Sequence, residues 1–502
     1  MKRYDHILAK GEQNGRIPLS QHLSEVAQLA EKVAMNLGLN TSIARRGAIM
    51  HDIGKASSEF QQTLDKNFQR PPGFIFRHEI ASLFFISLLG IEEKHPIIDM
   101  IVAHHKSIYN DAGGKGILDL LEYDPECLNR HLKGFEKWSV DALSILASFG
   151  FETVSITLQQ AEVNFYEVVD YCESKAYGYS QWKGVLIAAD HLASAMSGYS
   201  ASLIKRLFVK PDLSYYHNRQ SDLYPLSMIS TNDNRLNTIV TAPTGAGKTD
   251  FLLRRCRGRV FYTLPFQASI NAMYERIKED LKDTLADVRL LHAASSIKIE
   301  NGKVEEKVLQ RHFGASVKVL TPHQMASLVF ATKGYEAMIT DLKGCDVILD
   351  EIHTYSETTQ AIVLKMVEIL CNIGCRVHIG TATMSTILYN RLIDILGGSA
   401  NIYEVKLPDN ILNSFDRHII YKSDSFESMA GVIGNAIAQN QKILLVCNQV
   451  KRAQQLYENL SAAYPQVQKI LVHSRFKRGI RSQLEIDLRY IYTADALKLI
   501  IK

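Results

Sequence analysis

The chain has 502 residues, of which 46% are hydrophobic and 22% are charged, and its formal net charge is +4. The length excludes a single hydrophobic core and predicts two to four soluble globular domains, and the mild positive charge permits nucleic acid as a partner without indicating it. Seven dispersed cysteines favour the reducing cytoplasm over a disulfide framework, and the longest apolar run, residues 80–91, is too short to span a bilayer and is expected to be a buried helix.

Residues 1–205 are predicted to be mainly helical, because apolar residues recur at helical spacing in "LSEVAQLAEKVAMNLGL" and "GVLIAADHLASAMSG". A polar and aromatic segment over 206–225 is predicted to link this half to the next. Beyond it, helical stretches separate short β-rich runs such as "NTIVTAPTG", "GRVFYTLP", "VKVLTPHQ", "CDVILDEIH", "CRVHIGTAT" and "QKILLVCNQ". This alternation predicts a parallel α/β sheet with functional residues at the carboxyl ends of its strands.

In the helical half, "HDIGK" begins at His51. A histidine followed directly by an aspartate places an imidazole nitrogen beside a carboxylate, so Asp52 could bridge two metal ions. Lys55 could contact a scissile phosphate. This ligand chemistry suits Mn, Fe, Co or Ni. The further candidate ligands are His22, His78, His104, His105 and Asp190, whereas His6 and His95 are interpreted as structural or exposed.

Residues 241–250, "TAPTGAGKTD", differ from the phosphate-loop pattern GxxxxGK[ST] only by Ala242 at the first glycine. The glycines let backbone N–H groups face phosphates, Lys248 would reach the β- and γ-phosphates, and Thr249 would coordinate Mg²⁺. A glycine-rich turn is the disfavoured alternative, because strand, loop and helix follow in the required order. The predicted ATP-binding residues are Thr244, Gly245, Ala246, Gly247, Lys248, Thr249, Asp350 and Glu351.

The acidic pair Asp350 and Glu351 ends the apolar run "DVILDEIH". Asp350 is predicted to hold Mg²⁺ through water, and Glu351 to orient the attacking water as a catalytic residue.

A run of basic residues, "RRCRGR", contains Arg254, Arg255, Arg257 and Arg259. It could contact DNA phosphates, but we favour a structural role at the end of the helix after the phosphate loop.

The ordered series "APTGAGKT", "TLPFQA", "TPHQ", "DEIH" and "TAT" resembles a superfamily 2 helicase, with a first RecA-like domain over 226–395 and a second, partial one over 396–502. The resemblance implies ATP hydrolysis with Mg²⁺ that drives stepping along a single strand, coupled through Thr381 and Thr383. The strand-contact residues that it implies are Pro265, Gln267, Thr321 and Pro322.

The spaced set H, HD, H, HH and D resembles the HD superfamily of metal-dependent phosphohydrolases over about residues 15–200. That family hydrolyses phosphoesters with metal-activated water. The resemblance predicts an all-α HD domain over 1–205 and the following division of ligands. One ion would be held by His51, Asp52 and Asp190 with His22, and the other by Asp52, His78, His104 and His105.

An HD domain fused to such a motor resembles the CRISPR-associated helicase–nucleases of type I interference systems over nearly the whole chain. The segments "RHE", "AHH", "AADHLASA", "DEIH" and "HSRF" fit that family. The resemblance implies that an RNA-guided surveillance complex opens the target, that the motor moves 3′ to 5′ on the displaced DNA strand, and that the HD site cuts it. We expect a cytoplasmic monomer.

Two departures from the family pattern affect the motor. Ser227 follows "YPL" where a glutamine often reads adenine, and "QRxGRxxR", the source of an arginine finger, does not occur. We therefore expect a C-terminally incomplete helicase with impaired ATP turnover. Two alternatives stay open: an HD nucleotide phosphohydrolase with a regulatory ATP-binding domain, and a decayed fragment that binds DNA or its partner without catalysis.

Overall fold

The fold is given by a computed structural model, which describes residues 4, 6–69, 76–102, 116–118, 124–175, 180–195, 201–291, 313–332, 334–414, 419–425, 427–477, 480, 484 and 499–501. By its internal contacts the chain divides into two units, Met1–Phe415 and Asp416–Lys502. The first unit contains the helical half and a large sheet. None of the helices among the described residues is long and apolar enough to cross a membrane.

The helical domain is opened by a small antiparallel strand pair, β1 (Leu8–Lys10) and β2 (Ile17–Pro18). Helix starts and stops follow local chemistry: the Asn40 side chain caps the second helix, and Gly38 ends the first with a φ of 69°. The helices are α1 (Leu19–Leu37), α2 (Thr41–Met50), α3 (Ser58–Thr63), α4 (His78–Leu83), α5 (Ile91–Val102), α6 (Cys127–Leu132), α7 (Phe135–Ser148), α8 (Leu158–Ser174), α9 (Gln181–Ala195) and α10 (Ala201–Arg206).

The core of the helical domain is formed by aliphatic residues from α1, α2, α5 and α9 and by an aromatic cluster. Phe135 meets Phe84 and Trp138 edge to face, with ring centroids 5.7 and 5.0 Å apart, which is a favoured aromatic geometry. Helix α1 lies against both α2 and α9. The metal-site candidates on these three helices are therefore carried on one packed framework.

The sheet domain is a seven-stranded parallel sheet in the order β5-β6-β4-β7-β8-β3-β9. Its strands are β3 (Asn237–Thr241), β4 (Val260–Thr263), β5 (Val288–Leu290), β6 (Val317–Leu320), β7 (Asp346–Asp350), β8 (Arg376–Thr381) and β9 (Ile402–Lys406). Its helices are α11 (Ser214–His217), α12 (Lys248–Arg255), α13 (Gln267–Asp280), α14 (Ser327–Phe330), α15 (Tyr335–Leu342), α16 (Glu357–Asn372), α17 (Thr386–Ile395) and α18 (Asp409–Asn413). The predicted class, an all-α domain followed by a RecA-like parallel sheet, is confirmed.

Two expected boundaries differ from the packing in the structure. Strand β9 pairs with β3, so the boundary expected at 395 would separate one strand from its own sheet. In the segment expected as a linker, Leu213 and Tyr216 are buried in the same core cluster as Phe251 of α12. This part of the segment therefore packs on the sheet domain.

Helix α9 joins the two halves of the first unit by packing on α15. The Lys183 ammonium lies 2.7 Å from the Glu336 carboxylate. A Cβ added to Gly184 would stand 2.3 Å from Thr340 Oγ1, so a glycine is needed for this close approach. The helix that carries Asp190 is thus held against the sheet domain.

The four arginines of "RRCRGR" are bonded inside the sheet domain. Arg254 and Arg255 donate to the carbonyls of Leu226 and Thr231 at 2.6 and 2.7 Å. Arg257 donates to the Asp233 carbonyl, and Arg259 Nη1 lies 2.8 Å from a carboxylate oxygen of Asp341. The structural interpretation of this run is confirmed.

The second unit contains a three-stranded parallel sheet in the order β10-β12-β11, formed by β10 (Ile443–Leu445), β11 (Lys469–Leu471) and β12 (Leu499–Ile501). Its helices are α19 (Ala430–Ala438) and α20 (Val450–Ala463). A small core that includes Ile433, Leu456 and Leu460 packs these helices together.

Candidate functional site

The candidate metal centre is built around Asp52, which lies between the end of α2 and a 3₁₀ turn at Ile53–Ala56. Asp52 Oδ2 lies 3.1 Å from His22 Nε2 and 3.3 Å from His51 Nε2. Its other oxygen, Oδ1, lies 3.0 Å from His78 Nε2. One carboxylate therefore faces imidazoles on both of its oxygens, and these imidazoles come from three different segments of the chain.

Asp190 and Lys55 complete the described part of this centre. Asp190 Oδ1 lies 3.5 Å from His22 Nε2, and the Lys55 ammonium contacts Asp52 Oδ2. Burial raises the pKa of the Asp190 carboxyl, but the positive charges available on His22 and His51 outweigh it and hold the pKa below its usual range. The predicted ligands His104 and His105 lie outside the described residues.

The geometry of the ligands is fixed by backbone contacts behind them. His51 Nδ1 lies 2.6 Å from the Ala48 carbonyl, which leaves Nε2 to face Asp52. The Ser82 hydroxyl donates to the His51 carbonyl at 2.8 Å, and its oxygen accepts the Gly54 N–H at 2.9 Å. A Cβ on Gly54 would stand 2.1 Å from the His78 carbonyl, so α4 can approach only a glycine here.

His131 on α6 is a supporting residue that sequence reasoning missed. It is fully buried, its Nε2 accepts the Arg77 N–H at 2.8 Å, and its Nδ1 donates to the Cys127 carbonyl at 2.6 Å. Arg77 directly precedes His78, so His131 holds the start of α4. Its partner is 54 residues away, and no local motif marks such a contact.

The donor set fits divalent transition metals. Donor atoms of His22, His51 and Asp52 lie within 4.8 Å of one another, and all three residues are buried. Mixed imidazole and carboxylate ligands are those such ions prefer.

A second cluster of this kind, Cys256, Asp346 and His378, is structural. Asp346 Oδ1 accepts from Arg376 and His378 at 2.7 and 2.9 Å. Asp346 Oδ2 accepts the N–H groups of Arg257 and Gly258 and a second Arg376 N–H. Five donors thus saturate this carboxylate, which leaves little capacity for an ion.

The candidate ATP site is a cavity of about 330 Å³ at the carboxyl ends of the central strands. Gly245 and Gly247 have φ angles of 88° and 93°, as a loop that turns its N–H groups inward requires. The Lys248 ammonium donates to the Ala242 carbonyl at 2.9 Å. Predicted residues on the cavity wall are Thr244, Gly245, Gly247, Lys248, Thr249, Asp350 and Glu351; Ala246 is buried behind it and accepts the Leu226 N–H.

Asp350 is oriented by two donors. The Tyr262 hydroxyl donates to Oδ2 at 2.5 Å, and the Glu351 N–H donates to Oδ1 at 3.0 Å. Burial raises the pKa of Asp350 to about 6, and the negative charge of Glu351 adds to this effect. Glu351 itself adopts a left-handed φ of 56°, a strained conformation for a residue of this type.

The predicted coupling residues contact the acidic motif. His353 Nδ1 lies 2.8 Å from Thr381 Oγ1 and 3.4 Å from Glu351 Oε2. The Thr381 hydroxyl donates to the Thr383 carbonyl, and the Thr381 carbonyl accepts the Ala242 N–H. The end of β8 is thus bonded to both the phosphate loop and the acidic pair.

The predicted strand-contact residues follow β4 and β6, which are adjacent in the sheet. Pro265 is partly buried, and Gln267 begins α13. The Thr321 N–H donates to the Gln324 side chain at 2.8 Å, and Pro322 is buried. Both segments lie at the carboxyl ends of their strands, as the cavity does, and the Pro322 side chain itself is buried inside the domain.

Ser227, the departure near the adenine position, has a local role. Its hydroxyl donates to the Ser221 carbonyl and accepts the Ser221 N–H, both at 2.9 Å. The hydroxyl therefore closes the turn at 221–227. Arg219 and Tyr224 lie on the cavity wall near this turn.

Three regions of the chain match known families. Residues 19–132 match the HD domain, residues 220–390 match the DEAD/DEAH box helicases, and residues 439–499 match the C-terminal part of the CRISPR-associated nuclease/helicase Cas3. The chain is 23% identical to the CRISPR-associated nuclease/helicase Cas3 of Methanothermobacter thermautotrophicus over 570 aligned residues. That alignment covers 96% of this chain and 67% of the relative.

Solved structures share the fold. The crystal structure of T. fusca Cas3 with ATP superposes with a TM-score of 0.58 at 17% identity, over 99% of this chain and 69% of that chain. A chain of a CRISPR RNA-guided surveillance complex in a pre-nicking state gives 0.52 at 18% identity, over 98% and 67%. The chain therefore combines an HD domain with a DEAD/DEAH-type helicase region in that order, and over nearly its whole length it is similar to CRISPR-associated nuclease/helicases.

Proposed function

We propose that this protein is a metal-dependent nuclease for single-stranded DNA, coupled to an ATP-driven 3′-to-5′ translocase that acts in CRISPR interference. The observation that carries the nuclease assignment is the division of contacts at Asp52. His22 and His51 face one oxygen, and His78 faces the other. This is the division that a carboxylate bridging two ions would need.

The proposed ligands follow this division. His22, His51, Asp52 and Asp190 would hold one ion, and Asp52 and His78, with His104 and His105, would hold the other. When bound, Mn, Co, Ni or Fe ions supply Lewis-acid polarisation of the phosphodiester and of water. Lys55 contacts Asp52 and is partly exposed, so its ammonium can also attract the scissile phosphate.

We assign ATP binding and hydrolysis to the cavity at the carboxyl ends of the central strands. Lys248 would exchange the Ala242 carbonyl for the β- and γ-phosphates, and Thr249 and Asp350 would hold Mg²⁺. Glu351 would orient the attacking water. The contacts among His353, Thr381 and the phosphate loop would carry the state of the nucleotide to the strand-contact segments.

The proposed partner is an RNA-guided surveillance complex that presents displaced single-stranded DNA. Support comes from the surveillance-complex chain that shares this fold. Tethering a translocase to a nuclease raises the local concentration of substrate at the nuclease. The protein would act as a monomer in this pairing.

The nuclease proposal is tested with protein that has been stripped of metal and reloaded with Mn²⁺ or Co²⁺. We expect cleavage of circular single-stranded DNA that is lost in His51→Ala and Asp52→Ala. His95→Ala is the matched control, because His95 is exposed and stacks on Tyr171. Hydrolysis of free nucleotides without strand cleavage would instead identify a nucleotide phosphohydrolase, and no hydrolysis of either would identify a non-catalytic binding protein.

The motor proposal is tested by ATP turnover with and without single-stranded DNA. We expect turnover that depends on DNA and is abolished by Lys248→Ala. Binding of ATP without any stimulation by DNA would reject the translocase assignment and leave a regulatory nucleotide site.

A further inference from the structure

We infer that Tyr262 is a positioning residue of the ATP site, because its hydroxyl contacts and orients Asp350 and Thr249, the two side chains proposed to hold Mg²⁺. The inference rests on the proposed function of that site. Tyr262 lies outside the phosphate loop and outside the acidic motif, on strand β4.

The contacts of Tyr262 come from its place in the sheet. Strand β4 is hydrogen-bonded to β7, so Tyr262 lies beside Ile348, two residues before Asp350. The side chain is fully buried. Its hydroxyl donates to Asp350 Oδ2 at 2.5 Å and lies 3.4 Å from Thr249 Oγ1.

Asp350 is therefore held by one donor on each oxygen. The Glu351 N–H is a backbone group and cannot be removed by substitution, whereas the Tyr262 hydroxyl can. A hydrogen bond from a neutral donor to a charged acceptor is among the stronger ones in proteins. Its loss would free the carboxylate to rotate about the one remaining hydrogen bond, from the Glu351 N–H.

The consequence concerns Mg²⁺ more than the nucleotide itself. The phosphates are proposed to be held by Lys248 and by loop N–H groups, whereas the Tyr262 hydroxyl lies against the side chains of Asp350 and Thr249. Removing the hydroxyl should thus weaken the dependence of nucleotide affinity on Mg²⁺, while the affinity without Mg²⁺ stays unchanged.

The test is Tyr262→Phe, which removes one oxygen and keeps the buried ring. Tyr403→Phe is the matched control, because the Tyr403 hydroxyl also makes one hydrogen bond, 2.7 Å to the Ser230 carbonyl, on strand β9 of the same sheet. A fluorescent, non-hydrolysable ATP analogue is titrated into the full chain at a series of Mg²⁺ concentrations and in EDTA.

We expect Tyr262→Phe to raise the Mg²⁺ concentration for half-maximal binding about tenfold, the factor that corresponds to one charge-assisted hydrogen bond. Tyr403→Phe should match the wild type. Equal Mg²⁺ dependence in Tyr262→Phe and wild type would overturn the inference, as would an equal loss with and without Mg²⁺, which indicates a purely structural role. If wild type and Tyr403→Phe both fail to bind the analogue, the ATP site itself is refuted.

Discussion

Acidification should destabilise the helical domain through His131, and a single substitution should remove that effect. The buried imidazole is neutral in the folded protein, where it accepts the Arg77 N–H and donates to the Cys127 carbonyl. Burial lowers the pKa of His131 from 6.5 to about 4. In a protonated ring, Nε2 would carry a proton and could no longer accept the Arg77 N–H. The charged form of His131 therefore opposes folding.

The sign and size of the effect follow from linkage. Between pH 6.5 and about 4 the unfolded chain binds a proton at His131 that the folded chain does not. The contribution of neutral His131 to the free energy of unfolding is therefore fully present above about pH 6.5. It is lost progressively as the pH falls from about 6.5 to about 4. At ~1.4 kcal/mol for each pH unit, the loss amounts to about 3 kcal/mol.

The assay uses the two tryptophans of the sequence, Trp138 and Trp182, because both lie on helices of the helical domain. Urea unfolding is followed by their fluorescence in EDTA between pH 7.5 and 4.5. The comparison variant is His131→Gln, whose amide oxygen can accept the Arg77 N–H but does not titrate. We expect the wild type to lose more stability than the variant over this interval. Parallel curves for the two proteins would refute the reasoning.

Three further predictions concern close contacts and the phosphate loop. Gly54→Ala should cost about 1–3 kcal/mol by overpacking against the His78 carbonyl, measured by the same fluorescence. Gly184→Ala should lower the thermal midpoint of the full chain through its clash with Thr340 Oγ1, and Thr340→Ala in the same chain should restore part of the loss. Lys248→Ala should weaken ATP binding at least tenfold, because the buried ammonium would be lost from the cavity.

Controls for these predictions come from the same chain. Gly90→Ala meets no atom closer than 3.8 Å, so it should leave stability within about 0.5 kcal/mol of wild type. Lys365→Ala removes an exposed lysine on α16 and should leave ATP affinity unchanged. A Gly54→Ala protein as stable as Gly90→Ala would contradict the packing described around α4.

The elements with strong local patterns were predictable from sequence. The apolar runs that end at Thr241, Thr263 and Asp350 all form strands of the large sheet, and each carries a candidate site residue at or just beyond its carboxyl end. The convergence of His22, His51 and His78 on Asp52 was expected from the resemblance, since these residues are up to 56 positions apart and no periodicity joins them.

The remaining features depend on tertiary contacts that leave no local signal. Tyr262 resembles any strand tyrosine, and its role is visible only once β4 lies beside β7. His131 accepts the backbone N–H of Arg77, which directly precedes α4. Strand β9 joins the sheet by pairing with β3, 165 positions away at Asn237 and Ile402, so the sequence could not place the domain boundary.

The central claim, that Asp52 bridges metal ions in a nuclease, is tested most directly by binding of Mn²⁺ to the full chain, measured by calorimetry beside cleavage of single-stranded DNA. Asp52→Asn keeps the size of the side chain and removes its charge. We predict that the wild type binds Mn²⁺ and cuts the strand, and that Asp52→Asn loses both properties while its tryptophan fluorescence remains that of the folded protein. Tight Mn²⁺ binding and strand cleavage that persist in a folded Asp52→Asn protein would contradict the account.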